Sequence, residues 1–365
     1  MQVSDNLLIR CDASIAIGTG HVMRCLALAQ AWKEAAGHAV FAMAETTPAV
    51  EERIRAEQLD VVRLTESAGS SEDADITARW ARQSAANWVV VDGYVFGPEY
   101  PVHLKRAGLK VLLVDDIALA GRYSADLVLN QNAHASEALY PNREASTRLL
   151  LGPRFTMLRR EFGAWGGWKR KIAPVARRVL VTLGGSDPDN ITARVASAIM
   201  SEPELEGIVV VGGSNPHLPK LRELMEENGP TVRLVENVGN MPELMAWADV
   251  AVSGAGTTTW EMCFMGLPAL LIVLADNQEP VARHLAEQGM VVNLGRGATV
   301  TGKAIVDGLR TVISSRDRRQ AMSERAGSVL DGGGAERVVS ALADGFAQRV
   351  QGGKLKGKFR APSQP

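Results

Sequence analysis

Two short segments hold residues whose types and spacing could do chemistry. The first is Asp12-Ala13-Ser14-Ile15-Ala16-Ile17-Gly18-Thr19-Gly20-His21. Gly18 and Gly20 let a backbone come close to a ligand, and a helical pattern starts at about His21. The free N–H groups and dipole of such a helix start favour an anion. The dinucleotide pattern needs a third glycine, and position 23 is Met, so NAD binding is disfavoured. At the positive end of a helix a histidine has its charged form disfavoured, which leaves a neutral imidazole available as a general base. Turn geometry alone explains the glycines equally well, and packing or capping explains an isolated histidine. Side by side at a strand end, they favour chemistry. Arg24, one turn on and on the same helix face, is placed to hold a phosphate or a carboxylate.

The second segment is Ser253-Gly254-Ala255-Gly256-Thr257-Thr258-Thr259-Trp260-Glu261. Small residues and hydroxyls at a helix start again suit a phosphate. Glu261 lies one turn into that helix, where a carboxylate can accept both hydroxyls of a ribose. The plainer reading is a favourable contact with the helix dipole. Smaller signals sit at other strand ends: Leu183-Gly184-Gly185-Ser186-Asp187, Ala275-Asp276-Asn277-Gln278, Asp92-Gly93-Tyr94, Asp115-Asp116 and Asn130-Gln131-Asn132. Paired acids such as Asp115-Asp116 suit a metal, but no third ligand stands at a recognisable spacing.

These segments need elements to position them. Apolar runs of strand length alternate with helical patterns: Leu7–Arg10, His38–Ala44, Asp60–Leu64, Trp88–Asp92, Lys110–Asp115 and Ala125–Asn130 read as strands. Val22–Ala35 has helical spacing. Runs such as Val89-Val90-Val91 are typical of parallel strands buried on both faces. The rhythm breaks between about Asn132 and Ala176, a stretch with Pro141, Pro153 and Trp165-Gly166-Gly167-Trp168. It restarts at Arg178–Leu183, Gly207–Val211, Val232–Val235, Asp249–Ser253, Ala269–Leu274 and Val291–Leu294. The expected architecture is α/β: two Rossmann-like doubly wound domains facing across a cleft. Residues 1–155 form the first domain with His21, 156–176 a linker, 177–350 a nucleotide-binding domain and 351–365 a disordered tail.

Composition sets the outer limits. With 365 residues, 46% hydrophobic and 22% charged, the chain fits a soluble two-domain protein. Forty basic and 41 acidic residues give a net charge of −1, and aromatics are 5%, which argues against a nucleic-acid partner. The tail, with Lys354, Lys356, Lys358 and Arg360, is the one basic stretch that could suggest otherwise. Cys11, Cys25 and Cys263 are too few and too scattered for a disulfide framework or a zinc site, and fit a reducing cytoplasm. The start, Met1 to Asp5, lacks the pattern of a signal peptide, and no apolar run approaches membrane-span length.

Gly18-Thr19-Gly20-His21 with Arg24, Gly184-Gly185-Ser186-Asp187, Gly256 to Glu261 and Asn277-Gln278, taken in this order, resemble the PseG family. These are UDP-sugar hydrolases of pseudaminic acid synthesis, related to SpsG-type spore-coat polysaccharide proteins and sharing the two-domain GT-B fold with the MurG glycosyltransferase. The resemblance runs from about residue 7 to about residue 295. It implies hydrolysis of UDP-2,4-diacetamido-2,4,6-trideoxy-β-L-altropyranose at the anomeric carbon, with His21 catalytic, inversion at that carbon, and neither metal nor cofactor. It implies substrate contacts at Gly18, Thr19, Gly20, Arg24, Gly184, Gly185, Gly256, Thr257, Thr258 and Gln278. Glu261 corresponds to the acid that grips the ribose, Asn277 to a substrate-contacting asparagine and Tyr94 to a tyrosine near the sugar, and the uracil pocket falls on backbone around Val238 and Met241. The partners so implied are a small UDP-sugar and other enzymes of the sugar pathway. The alternatives are a GT-B glycosyltransferase that hands the sugar to a hydroxyl, and a UDP-sugar binding protein without catalysis. Residues 45–110 carry no apolar or basic run of the kind a lipid-acceptor transferase shows, which favours water or a small acceptor.

Overall fold

The structure, a computed structural model, describes residues 6–354 apart from Leu119 and Ser186, with side chains through Asp344. In chain order the first part runs β1 (Asn6–Cys11), α1 (Gly20–Glu34), β2 (His38–Met43), α2 (Pro48–Ala56), β3 (Asp60–Arg63), α3 (Ser71–Gln83), β4 (Ala86–Asp92), α4 (Glu99–Arg106), β5 (Lys110–Val114), β6 (Leu127–Asn130) and β7 (Arg148–Leu151). The second runs β8 (Arg178–Thr182), α5 (Ile191–Met200), β9 (Glu206–Val211), α6 (Leu218–Glu227), β10 (Val232–Glu236), α7 (Met241–Trp247), β11 (Val250–Gly254), α8 (Thr258–Phe264), β12 (Ala269–Val273), α9 (Glu279–Glu287), β13 (Val291–Arg296), α10 (Gly302–Ile313), α11 (Arg316–Gly327) and α12 (Gly334–Lys354).

The strands form two parallel sheets, ordered β3-β2-β1-β4-β5-β6-β7 and β10-β9-β8-β11-β12-β13. Both sheets are buried on two faces, which is why their strands are near-continuous aliphatic runs. One face of the first sheet packs Leu7, Ile9, Phe41 and Val90 under α1 and α2, and the other packs Leu8, Val89, Val91 and Val111 under α3 and α4. The second sheet repeats this, with Leu180 and Leu271 under α7 to α9 and Val181 and Val209 under α5 and α10. In each sheet the order reverses once, between β1 and β4 and between β8 and β11. Ligands of such sheets bind outside the carboxyl ends at that reversal.

Four helices begin on their own hydroxyl caps: Thr47 accepts from the Val50 N–H, Ser70 from Asp73, Thr301 from Ala304 and Ser315 from Arg318. The helices α1 and α8 begin after Thr19 and Thr257 with no side-chain cap.

Two features depart from the sequence reading. The stretch read as linker and loop contains β7, an edge strand of four residues that pairs with β6 from Leu127↔Arg148 to Asn130↔Leu151. No α-helix separates β6 from β7, just as none separates β5 from β6. The last helix, read as part of the second domain, packs on the first. Val338, Val339 and Leu342 of α12 share the core beneath α1. Its start fits only because Gly334 lacks a side chain: a Cβ there would meet the Thr156 carbonyl oxygen of the outgoing segment. The chain therefore crosses between domains twice at one place. The tail beyond Lys354 lies outside the described residues.

Candidate active site

A cavity of about 570 Å³ lies between the carboxyl ends of the two sheets. The first domain lines it with Asp12, the turn from Ala16 to His21, Arg24, Asp92 to Phe96, Asp116 and Asn132. The second lines it with Gly184, Gly185, the segment from Ser253 to Thr258, Glu261, Asn277 and Gln278.

On the first domain the chemistry gathers on Asp92, the last residue of β4. The parallel register sets it beside Cys11, the end of β1 and the start of the glycine turn. Gly18 closes that turn with φ +80, its N–H bonded to the Ser14 carbonyl at 2.8 Å. This delivers His21 and Arg24 on the first turns of α1, over the end of β4. His21 Nδ1 lies 2.6 Å from Asp92 Oδ1. A carboxylate only accepts, so the proton sits on Nδ1 and a neutral ring keeps its lone pair on Nε2. Arg24 grips Asp92 with two bonds, Nε to Oδ2 and Nη2 to Oδ1, both 2.6 Å. Its Nη1 donates to Asp116 Oδ2 at 2.5 Å. Burial alone would raise the Asp92 pKa. The Arg24 charge and the hydrogen bonds from Arg24 and His21 outweigh it and hold the carboxylate well below its ordinary range.

Arg24 is thus not an exposed cation awaiting a phosphate. The carboxylates it holds are the protein's own, and it is 4% exposed. Asp115 and Asp116 likewise separate rather than pair. Asp115 accepts from the N–H groups of Ile117 and Ala118 and from the Tyr123 hydroxyl. Asp116 accepts from Arg24, Tyr94 and Asn132. Among the described residues no group of three or more His, Cys, Asp or Glu side chains is placed to hold a metal ion.

Tyr94 stands at the mouth, half exposed, its ring edge-on to His21 at 4.8 Å. Its hydroxyl donates to Asp116 at 3.1 Å and accepts from Asn277 Nδ2 of the other domain at 2.7 Å. The glycines of the second domain serve close approach as well. A Cβ on Gly185 would lie 2.7 Å from Thr19 Oγ1, and one on Gly20 3.6 Å from Thr257 Oγ1. Gly184 takes φ +90 beside it. Ser186 of this motif lies outside the described residues. Gln278 turns inward to accept from the Leu274 N–H at 3.0 Å, which fixes the loop that carries Asn277.

Glu261 reaches the cavity but already has a partner. Arg159 Nε and Nη2 both donate to its Oε1, at 3.1 and 2.9 Å. Burial raises the Glu261 pKa, and Arg159 opposes that rise. Two expected residues are not at the cavity. Met241 is buried in the second domain's core at the start of α7, and Val238 packs against the same cluster. Sequence reasoning did not single out Arg159; it gave Asp116 only as one of a pair of acids suited to a metal, and Asp92 only as a strand end. The available signal for Asp92 was its place at the end of a central strand; Arg159 carried none.

The fold is GT-B: two parallel-sheet α/β domains that match solved structures of this class along most of their length. *Acinetobacter baumannii* MurG aligns with TM-score 0.62 at 16% identity, covering 93% of this chain and 99% of that one. The spinosyn rhamnosyltransferase SpnG, complexed with thymidine diphosphate, aligns with TM-score 0.62 at 16% identity over 92% and 100%. Residues 179–338 match the glycosyltransferase family 28 C-terminal domain. Among curated relatives, the spore coat polysaccharide biosynthesis protein SpsG of Bacillus subtilis is 28% identical over 57% of this chain. A Methanocaldococcus jannaschii protein, MJ1062, is 24% identical over 73%. The chain spans 61% and 55% of the lengths of those two relatives. The UDP-2,4-diacetamido-2,4,6-trideoxy-β-L-altropyranose hydrolase of Campylobacter jejuni is 23% identical over 78% of this chain and 98% of that protein. No helix among the described residues is long and apolar enough to cross a membrane.

Proposed function

We propose that this protein hydrolyses a UDP-sugar at the anomeric carbon, releasing UDP and the free sugar. The substrate so proposed is UDP-2,4-diacetamido-2,4,6-trideoxy-β-L-altropyranose. The observation that carries the reading is the His21–Asp92 pair on one wall of a cavity whose other wall is glycine turns and hydroxyls. Asp92 fixes the ring and its tautomer, so Nε2 takes a proton from water as the water oxygen bonds to the anomeric carbon. The bond from that carbon to the diphosphate oxygen breaks with its electron pair on UDP, and the carbon inverts. The N–H groups of Gly256 to Thr258 and the turn at Gly184-Gly185 would receive the diphosphate. Glu261 would accept the ribose hydroxyls, Asn277 and Tyr94 would flank the sugar, and Thr19 and Gly20 would close over the site. Resemblance to the C. jejuni hydrolase along nearly its whole length supports water as the acceptor.

Transfer to a hydroxyl acceptor is the second reading, and one observation favours it. Ile17 and Val95 line the cavity yet remain exposed, and Ile15 beside them is 48% exposed. An acceptor with an apolar body would cover them. Incubation with a panel of UDP-sugars, with and without alcohol acceptors, separates the readings. UDP release at equal rate without acceptor supports hydrolysis. Release only with an acceptor supports transfer, and no release from any UDP-sugar removes both.

A further inference from the structure

We propose that Arg159, on the segment joining the two domains, is a positioning residue for the nucleotide: it grips one oxygen of Glu261 and presents the other to the ribose. This rests on the reading of Glu261 as the ribose acceptor. Both bonds from Arg159 land on Oε1, at 3.1 and 2.9 Å, so the guanidinium does not occupy Oε2. Both side chains are buried and both line the cavity.

The grip is rigid because Arg159 is itself held. Its Nη1 lies 2.8 Å from Glu161 Oε1, and its guanidinium sits 5.7 Å from the Phe162 ring centroid. The first domain clamps the same stretch of chain. The Arg160 N–H donates to Gln30 Oε1 of α1 at 2.9 Å, and the Arg160 side chain pairs with Glu57 at 2.9 Å. Arg53 of α2 pairs with Glu57 at 2.6 Å and reaches Glu161 at 3.4 Å. The joining segment, held by the first domain through Arg160 and by the second through Phe162, therefore sets the carboxylate of the second domain's site.

The charge balance gives a readout that a merely structural arginine would not move. Burial raises the Glu261 pKa, Arg159 lowers it and Glu161 raises it further. Other nearby cations are engaged elsewhere: Arg170 on the Met265 carbonyl at the far end of α8, Arg319 on Val312, and Arg325 on Gly289. Without Arg159, Glu261 keeps only a like-charged neighbour and holds its proton to higher pH. A protonated carboxyl is the weaker acceptor, so nucleotide affinity then falls as pH falls.

The test is calorimetric titration of UDP into wild type, Arg159→Met, Arg159→Lys and Glu261→Gln at about pH 6, 7 and 8, each read as the ratio to wild type so that the titration of UDP cancels. Arg159→Met should weaken UDP roughly tenfold at the top of this range and several-fold more at the bottom. Arg159→Lys, which keeps a cation but not the two-nitrogen grip, should weaken UDP with a flat ratio. Glu261→Gln should also weaken it with a flat ratio. Wild-type affinity in Glu261→Gln would overturn the ribose reading. Weakening there, with wild-type affinity or a flat ratio in Arg159→Met, would overturn the positioning role alone. Should Arg159→Met fail to fold, Arg159→Lys decides: wild-type UDP affinity in that folded variant overturns the proposal.

Discussion

Nδ1 of His21, 2.6 Å from Asp92 Oδ1, has its proton assigned by a carboxylate rather than by the helix terminus alone. The dipole argument singled out His21 but omitted Asp92, the carboxylate that orients its ring. If Nε2 is the base, His21→Asn lowers turnover by about 10²–10⁴-fold while UDP titrates as in wild type; near-normal turnover in the folded variant removes His21 from the mechanism. Asp92→Asn leaves Arg24 short of one partner, at a cost of about 3–5 kcal/mol. The pKa of Asp92 is depressed in the folded protein, so its contribution is present above the unfolded value of about 4 and is lost as pH falls through the folded one. The stability gap between Asp92→Asn and wild type should therefore be widest near neutral pH and shrink below about pH 4, read by denaturant melts across pH. With Asp115 and Asp116 turned to different partners, turnover should survive EDTA. Activity lost to EDTA and restored by Mg²⁺ would reject that expectation.

At the scale of elements, helix starts and glycine turns of the two domains approach each other closely beside the Tyr94–Asn277 bond. Thr19, ahead of α1, lies where a side chain on Gly185, after β8, would be, and Thr257, ahead of α8, lies within 3.6 Å of where a Cβ on Gly20 would be. Gly185→Ala puts a methyl 2.7 Å from Thr19 Oγ1 and 2.8 Å from its Cγ2, so one side of the cleft must move away. A displacement near 1 Å at a reacting centre costs about 10²-fold, so kcat/KM should fall by up to that factor. Adding Thr19→Ala removes both contacting atoms and should restore most of it. No recovery in the double variant would mean that Gly185 serves something other than the approach of the domains.

At the scale of the molecule, the chain leaves the first domain near Thr156 and returns to it in α12, packing Leu342 beneath α1 at 0% exposure. Leu342→Ala should therefore destabilise the first domain, by about 2–5 kcal/mol. Proteolysis or denaturant melts followed at Trp32 and Trp88, both in that core, would report the loss. A melt unchanged by Leu342→Ala would mean that α12 is not part of that core.

Local pattern determined much of this. Strands buried on both faces must be aliphatic along their length, so β1, β4, β5, β8, β11 and β12 announce themselves. A glycine turn that feeds a helix start is also a local device, which made Gly18 to His21 and Gly256 to Glu261 legible, with the parallel topology putting both at one cleft. β7 was not legible: it lies in the stretch where the strand–helix rhythm breaks, and only its pairing with β6 in the sheet reveals it. Nor were the partners: Asp92 meets His21 and Arg24 across 71 and 68 residues, and Arg159 meets Glu261 across 102. A charged side chain carries no sign of which distant charge will neutralise it; burial in a shared cavity decides that. The sequence thus determined the sheets and the turns that face the ligand, and only the tertiary structure decided which carboxylates orient the histidine, which arginine holds Glu261, and which domain owns the last helix.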